Sequence, residues 1–241
     1  MKIYLAYLTL LLAQKIYVEW DTEMHPHLLV LGNTGSGKSY FLRLLLGYIS
    51  LTIENAIAYV CDFKNELLKV GTNENAIRFY GYKDVYKGFM EFEDEFAARV
   101  MGAPQRDFCL LVIDEYVGWL NSFDKKEAEV IKNRMSSILN MGRSLNIHVI
   151  LGCQRGMAES FAGGARDSLN VIFLGSPSKE SIRSFCSQEE ASMIETCGRG
   201  EGYTVFDGQE PRRITVPTVQ DERKLEEAIF KLIKDDKAEP L

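Results

Sequence analysis

Short apolar runs rich in β-branched residues recur at 28–31, 56–61, 108–113, 147–151 and 171–174, and each predicts a buried strand. Between them the spacing turns helical. Over 84–100, Val85, Phe89, Phe92, Phe96 and Val100 return every three to four residues, with Glu91, Glu93, Asp94 and Glu95 on other faces. Over 125–141, Ala128, Ile131, Met135, Ile138 and Leu139 do the same. An amphipathic run also begins at Tyr40 and carries on through Leu46. Strands alternating with helices predict an α/β fold with a mostly parallel central sheet flanked by helices. Gly198-Arg-Gly-Glu-Gly202 breaks that rhythm. Residues 203–206 and 212–216 then read as a β-hairpin turning at Asp207-Gly208. Leu225, Ile229, Leu232 and Ile233 mark a last helix, and 235–241 reads as a loose tail. No linker divides the chain. The expectation is one domain over 1–241, made of an apolar extension (1–24), a core (25–197), the C-terminal hairpin and helix (198–234) and the tail.

Composition narrows this only a little. The 241 residues are 46% apolar and 26% charged with a net charge of −6, ordinary for a globular chain that buries a sizeable core. The acidic balance argues against coating nucleic acid with the whole surface, but not against a local basic loop. Cys61, Cys109, Cys153, Cys186 and Cys197 show no paired spacing and read as reduced core residues of a cytoplasmic protein. The run from Met1 to Ala13 is apolar but shorter than the roughly 20 residues a spanning helix needs. It reads as a strand or helix packed on the domain, with a membrane contact as the other reading.

Candidate chemistry changes the picture most. The first internal strand runs into Gly32-Asn33-Thr34-Gly35-Ser36-Gly37-Lys38-Ser39, followed at once by the helical run from Tyr40. Glycines there let main-chain N–H groups curl round an anion, and the following helix points its positive end at it. Residues 32–40 are therefore the expected nucleotide-binding segment, with Lys38 reaching the β- and γ-phosphates and the Ser39 hydroxyl holding Mg²⁺. About 75 residues further on, Cys109-Leu-Leu-Val-Ile-Asp-Glu115 is an apolar strand ending in two carboxylates. A parallel sheet brings Asp114 to the edge that holds the phosphates. Asp114 is expected to support the metal, and Glu115 to polarise a water for attack on the γ-phosphate. The strand 147–151 leads to Gln154, placed to contact the γ-phosphate or the attacking water. No Asn-Lys-x-Asp pattern for reading guanine occurs, so ATP is the expected nucleotide.

These segments, in this order, resemble the motor domain of the FtsK/SpoIIIE DNA translocases within the FtsK–HerA superfamily. His25 to Ser39 is similar to their P-loop region. Val60-Cys-Asp-Phe-Lys64-x-Glu66-Leu67 is similar to their Asp-Pro-Lys-x-x-Glu-Leu strand end, with Phe63 in place of proline. Val112 to Tyr116, Asp124 to Glu127, Gly142-Arg143-x3-Ile147-His148 with Gly152-Cys-Gln-Arg155, Ser178-Lys-x3-Arg183, Gly198-Arg-Gly-x2-Tyr203 and Pro211-Arg-Arg-Ile214 continue the likeness over about residues 20–220. Gly156 stands where these proteins have proline after Gln-Arg, and Asn170 where an arginine is common before the fifth strand. The resemblance implies a RecA-like P-loop NTPase that assembles as a homo-oligomeric ring, usually a hexamer, and moves double-stranded DNA. It also implies an arginine supplied by the neighbouring subunit, Arg183 first and Arg166 second. The Gly-rich stretch from Arg155 to Arg166 is then either a pore-facing, DNA-contacting loop or a flexible surface loop. The large family members carry membrane helices and a winged-helix reader; neither fits here, which implies a bare motor working with DNA-processing or membrane partner proteins.

Overall fold

A computed structural model describes residues 1–9, 15–68, 77–156 and 158–234. The chain opens with strands β1 (Lys2–Thr9) and β2 (Lys15–Asp21), paired antiparallel. Ile3, Leu5, Val18 and Trp20 point into the core while Lys2, Tyr4, Tyr17 and Glu19 point outward, the period-two pattern of a half-buried sheet. Within the apolar start the described residues form a strand, β1, packed on the domain as the strand reading expects, and residues 10–13 lie outside the described residues. Among the described residues no helix is long and apolar enough to cross a membrane.

Then follow β3 (His27–Gly32), α1 (Lys38–Thr52), β4 (Ile57–Asp62), β5 (Phe79–Gly81) and α2 (Val85–Val100). Next come β6 (Cys109–Asp114), α3 (Tyr116–Leu120), α4 (Lys125–Met141), β7 (Ile147–Cys153) and β8 (Leu169–Leu174). The chain closes with α5 (Lys179–Phe185), α6 (Gln188–Met193), β9 (Glu201–Val205), β10 (Arg212–Thr215) and α7 (Glu222–Ile233). The expected tail over 235–241 lies outside the described residues.

Among the described residues one sheet carries ten strands in the order β2-β1-β10-β9-β8-β3-β7-β6-β4-β5. The six from β8 to β5 are parallel, and β9, β10, β1 and β2 extend them antiparallel. This is the mixed α/β architecture with a mostly parallel sheet that the strand–helix alternation predicts. Each internal strand is buried on both faces, and alternate residues feed two cores. Leu28, Val30, Leu110 and Val112 join α1, α7 and the N-terminal hairpin; Leu29, Leu31, Leu111 and Ile113 join α2, α3 and α4. Two details differ from expectation. Val100 ends α2 exposed rather than on its apolar face. Asn170 lies inside β8, buried, where its amide donates to the His27 carbonyl (3.5 Å) and its oxygen accepts from the Asp207 N–H (3.1 Å). Cys61, Cys109 and Cys153 are buried in strands, whereas Cys186 and Cys197 are only half-buried.

Candidate functional site

Strand order sets the site. β3 lies between β7 and β8, neither of them its chain neighbour, so a crevice opens beyond its carboxyl end. The chain leaves β3 through Asn33–Gly37, where Gly35 (φ 84°) and Gly37 (φ 98°) take the left-handed conformation that favours glycine. The loop is held from several sides. The Ser36 N–H donates to the Asn33 carbonyl (3.0 Å), the Asn33 amide to the Ser176 carbonyl (2.6 Å), and the Gly200 N–H to the Ser36 carbonyl (2.9 Å). α1 then starts with no side-chain cap and no acidic residue in its first turn. Its first intrahelical bond is Phe41 N–H to the Gly37 carbonyl (2.9 Å), which leaves earlier N–H groups for an anion at the positive helix end.

Three neighbouring strands supply the facing wall. Asp62 at the end of β4 pairs in register with Asp114 of β6, which pairs with Gly152 of β7. A side chain at Gly152 would run into the Asp114 carboxylate at 2.4 Å, so this glycine leaves the carboxylate its room. The Lys38 ammonium, 6% exposed, bonds Asp114 Oδ1 and lies 3.0 Å from Glu115 Oε1. Ser39 Oγ donates to Asp114 Oδ2 at 3.3 Å, and the Glu115 N–H donates to Asp114 Oδ1 at 2.9 Å. Glu115 itself is left-handed (φ 61°, ψ 40°), a strained conformation for a non-glycine residue, and caps the start of α3. Burial pulls the pKa of Lys38 down, but the charges of Asp114 and Glu115 outweigh it and the net shift is upward, so the side chain stays an ammonium. Asp62 is shifted upward, chiefly by burial.

The oxygens of Ser39 and Asp114 make a hard, oxygen-only donor pair beside an uncapped helix start, which fits Mg²⁺ carried in with phosphate oxygens. Lys38 lies on Asp114 in this structure, so metal at that carboxylate and the present lysine position exclude each other.

The remaining sequence-derived candidates fall elsewhere. Gly32 and Ser36 are buried beneath the loop, and Asn33 and Thr34 stand exposed on it. Tyr40 contributes only main chain to the helix start, because its hydroxyl accepts from the Val219 N–H (2.6 Å) and donates to the Pro217 carbonyl (3.2 Å). Gln154 follows β7 directly, half-buried, beside the β6 edge. Arg155 is exposed. Arg183 on α5 and Arg166 share a cavity of about 390 Å³, whose wall includes Leu169, Val205 and Phe206. Leu169 pairs with His27 at the sheet end opposite the P-loop, so neither arginine joins the Lys38 cluster of its own chain. Arg166 donates to Asp167 and to the Ser184 carbonyl, both at 3.3 Å.

The 155–166 stretch is not a free loop. Phe161 stacks on Tyr116 (5.7 Å) and meets Phe185 edge-on (6.0 Å), while Ser136 Oγ donates to the Ala162 carbonyl (2.8 Å). Its Met157 lies outside the described residues.

One side chain in the cluster was given no role from sequence. Lys64 Nζ lies 3.3 Å from Glu115 Oε1. Its sequence signal, a place in the segment that resembles the family's Asp-Pro-Lys-x-x-Glu-Leu strand end, says nothing about the turn that aims it.

Residues 9–66 match the family described as "Helicase HerA, central domain". The Ftsk domain-containing protein YdcQ of Bacillus subtilis (strain 168) is 27% identical over 202 residues, 78% of this chain and 42% of the relative. The chain thus spans less than half the length of that curated relative. Among solved structures, the pCW3 conjugation coupling protein TcpA, with ATPγS, superposes with a TM-score of 0.69 at 21% identity over 96% of this chain and 70% of TcpA. The cytoplasmic domain of the Thermomonospora curvata type VII secretion ATPase EccC gives 0.67 at 22% identity, covering all of this chain and 32% of EccC. B204, the DNA-packaging ATPase of Sulfolobus turreted icosahedral virus, gives 0.54 at 15% identity over 80% of this chain and 98% of B204. At these identities the structural likenesses carry the fold.

Proposed function

Because the chain belongs to the FtsK–HerA superfamily of P-loop ATPases, we propose that it hydrolyses ATP with Mg²⁺ and uses the cycle to move double-stranded DNA. One observation carries the reading: Lys38, Ser39, Asp114 and Glu115 converge on an uncapped helix start at the carboxyl edge of a parallel sheet. In this reading the 32–40 segment binds the triphosphate and Lys38 neutralises its terminal phosphates. Ser39 and Asp114 hold the Mg²⁺, which supplies charge neutralisation when bound. Glu115 takes the proton of the attacking water, and Gln154, next along the edge, senses the γ-phosphate.

Arg183 and Arg166 lie away from their own chain's P-loop, which suits a role at a neighbour's site in a ring, and the reading assigns that role to Arg183 first. An arginine supplied in this way is worth roughly 10³–10⁵ in rate. Arg155 and Arg166 at the ends of the packed 155–166 stretch are the proposed DNA contacts; phosphate contacts of this kind position DNA without reading its sequence. The setting is cytoplasmic, with DNA-processing or membrane proteins as partners.

A second reading is a coupling or packaging ATPase that feeds DNA to another machine, favoured by the likeness to TcpA and B204. A polypeptide cargo, favoured by the likeness to EccC, is a third. A scaffold that binds ATP without splitting it is disfavoured by Glu115, whose carboxylate is poised beside the P-loop lysine.

Steady-state ATPase with and without nucleic acid, measured beside particle mass with nucleotide present, separates these. The proposal expects turnover to rise with duplex DNA more than with single strands, and the 27.4 kDa subunit to assemble into a ring, a hexamer by preference. A single-subunit mass with turnover indifferent to duplexes of every length would overturn it.

A further inference from the structure

Glu115 has two cations on one oxygen. Lys38 Nζ lies 3.0 Å from Oε1 and Lys64 Nζ lies 3.3 Å from it. They differ in what they are free to do. Lys38 is the phosphate lysine of the proposed function and leaves Glu115 when a triphosphate arrives. Lys64 stands on another strand end and has no such second task.

Its position is built into the fold. The buried Asp62 carboxylate at the end of β4 accepts three main-chain N–H bonds, from Lys64 (3.1 Å), Asn65 (2.9 Å) and Leu67 (2.5 Å). These bonds curl residues 62–67 into a tight turn, with Asn65 left-handed at φ 59°. Phe63 anchors the outer side of the turn by packing on Tyr82 at 5.6 Å. Asp62 holds these three N–H groups, and the Lys64 ammonium lies on Glu115.

Charge explains why that matters. Asp62, Asp114 and Glu115 crowd neighbouring strand ends, and Lys38 and Lys64 offset them. A bound triphosphate adds negative charge and draws Lys38 to itself. Like-charge repulsion in a poorly solvated site would then push Glu115 outward unless another cation held it.

We propose that Lys64 is a positioning residue that holds the Glu115 carboxylate at the mouth of the P-loop while Lys38 serves the phosphates. The inference rests on Glu115 being the base.

Lys64→Met, Lys64→Arg, Glu115→Gln and the Met–Gln double variant test it. With Lys64→Met, kcat for ATP falls about tenfold or more while KM stays within about twofold, the split expected when the reacting group rather than binding is misplaced. Lys64→Arg restores most of the rate, and Lys64→Met costs nothing further in the Glu115→Gln background. Without nucleotide, the shifts in unfolding midpoint from Lys64→Met and Glu115→Gln are non-additive, since each removes the same pair. A Lys64→Met kcat within twofold of wild type, an arginine variant no better than methionine, or additive midpoints would overturn the proposal. A wild-type protein that binds but does not split ATP overturns the base reading beneath it, and is told apart because the midpoint cycle needs no turnover.

Discussion

The two ends of the parallel strands are built in opposite ways. At the carboxyl edge, Lys38, Asp62, Asp114 and Glu115 place four charged groups at adjacent strand or helix ends, beside left-handed Gly35, Gly37 and Glu115. At the amino edge the polar residues are equally buried but spend themselves on main-chain carbonyls. Arg99, 1% exposed, donates to the carbonyls of Asp107 (2.8 Å), Leu145 (2.9 Å) and Asn146 (3.3 Å) and to Glu95 (2.8 Å). His27 Nε2 meets the Leu139 carbonyl at 3.0 Å, and His148 Nδ1 meets the Pro26 carbonyl at 3.1 Å. One edge holds charges in mutual reach with room to exchange partners; the other closes the sheet. The Lys38–Asp114–Glu115 cluster lies beside an uncapped helix start, whereas Arg99, His27 and His148 are held chiefly by main-chain carbonyls.

Substitutions at the two edges should fail differently. Glu115→Gln should leave ATP binding intact and lower turnover on the order of 10²–10⁴-fold, the range for losing a general base, measured by single-turnover assay beside nucleotide titration. Arg99→Ala should do the reverse, with nucleotide affinity unchanged and unfolding free energy lower by about 3 kcal/mol, because a buried cation network is broken. Chemical denaturation with and without ATP checks this; a loss of affinity larger than the loss of stability would merge the two edges.

The smallest effect is in acid. Burial chiefly depresses His27 to about 3 and His148 to about 4, against 6.5 when unfolded. The unfolded chain therefore binds more protons below pH 6.5. Stability is flat above that value and falls as pH drops towards 4, by roughly 1.4 kcal/mol for each histidine at pH 5.5. His148→Gln should roughly halve the slope between pH 6.5 and 5, read from unfolding midpoints.

The same contrast governs what could be read before the structure. Apolar runs located the internal strands to within two residues at each end, since burial on both faces demands continuous hydrophobic residues. The P-loop and the Asp114-Glu115 strand end were legible because their chemistry fixes residue type at fixed spacing. β5, three residues long, gave no periodicity. The first apolar run was ambiguous because a buried strand and a short helix can both use it, and it forms β1. Lys64 is legible in the sequence as part of a strand end but not as Glu115's partner, because the pairing depends on a turn closed by three N–H bonds to Asp62. The cavity shared by Arg166 and Arg183 depends in the same way on α5 folding back beside β8.

The central claim is that the carboxyl edge binds a nucleoside triphosphate through the P-loop lysine. Calorimetric titration of ATP with Mg²⁺ into the wild-type protein and into Lys38→Ala tests it most directly. The account predicts saturable binding at one site per chain that Lys38→Ala abolishes or weakens severely. Equal affinity in the two proteins would contradict it.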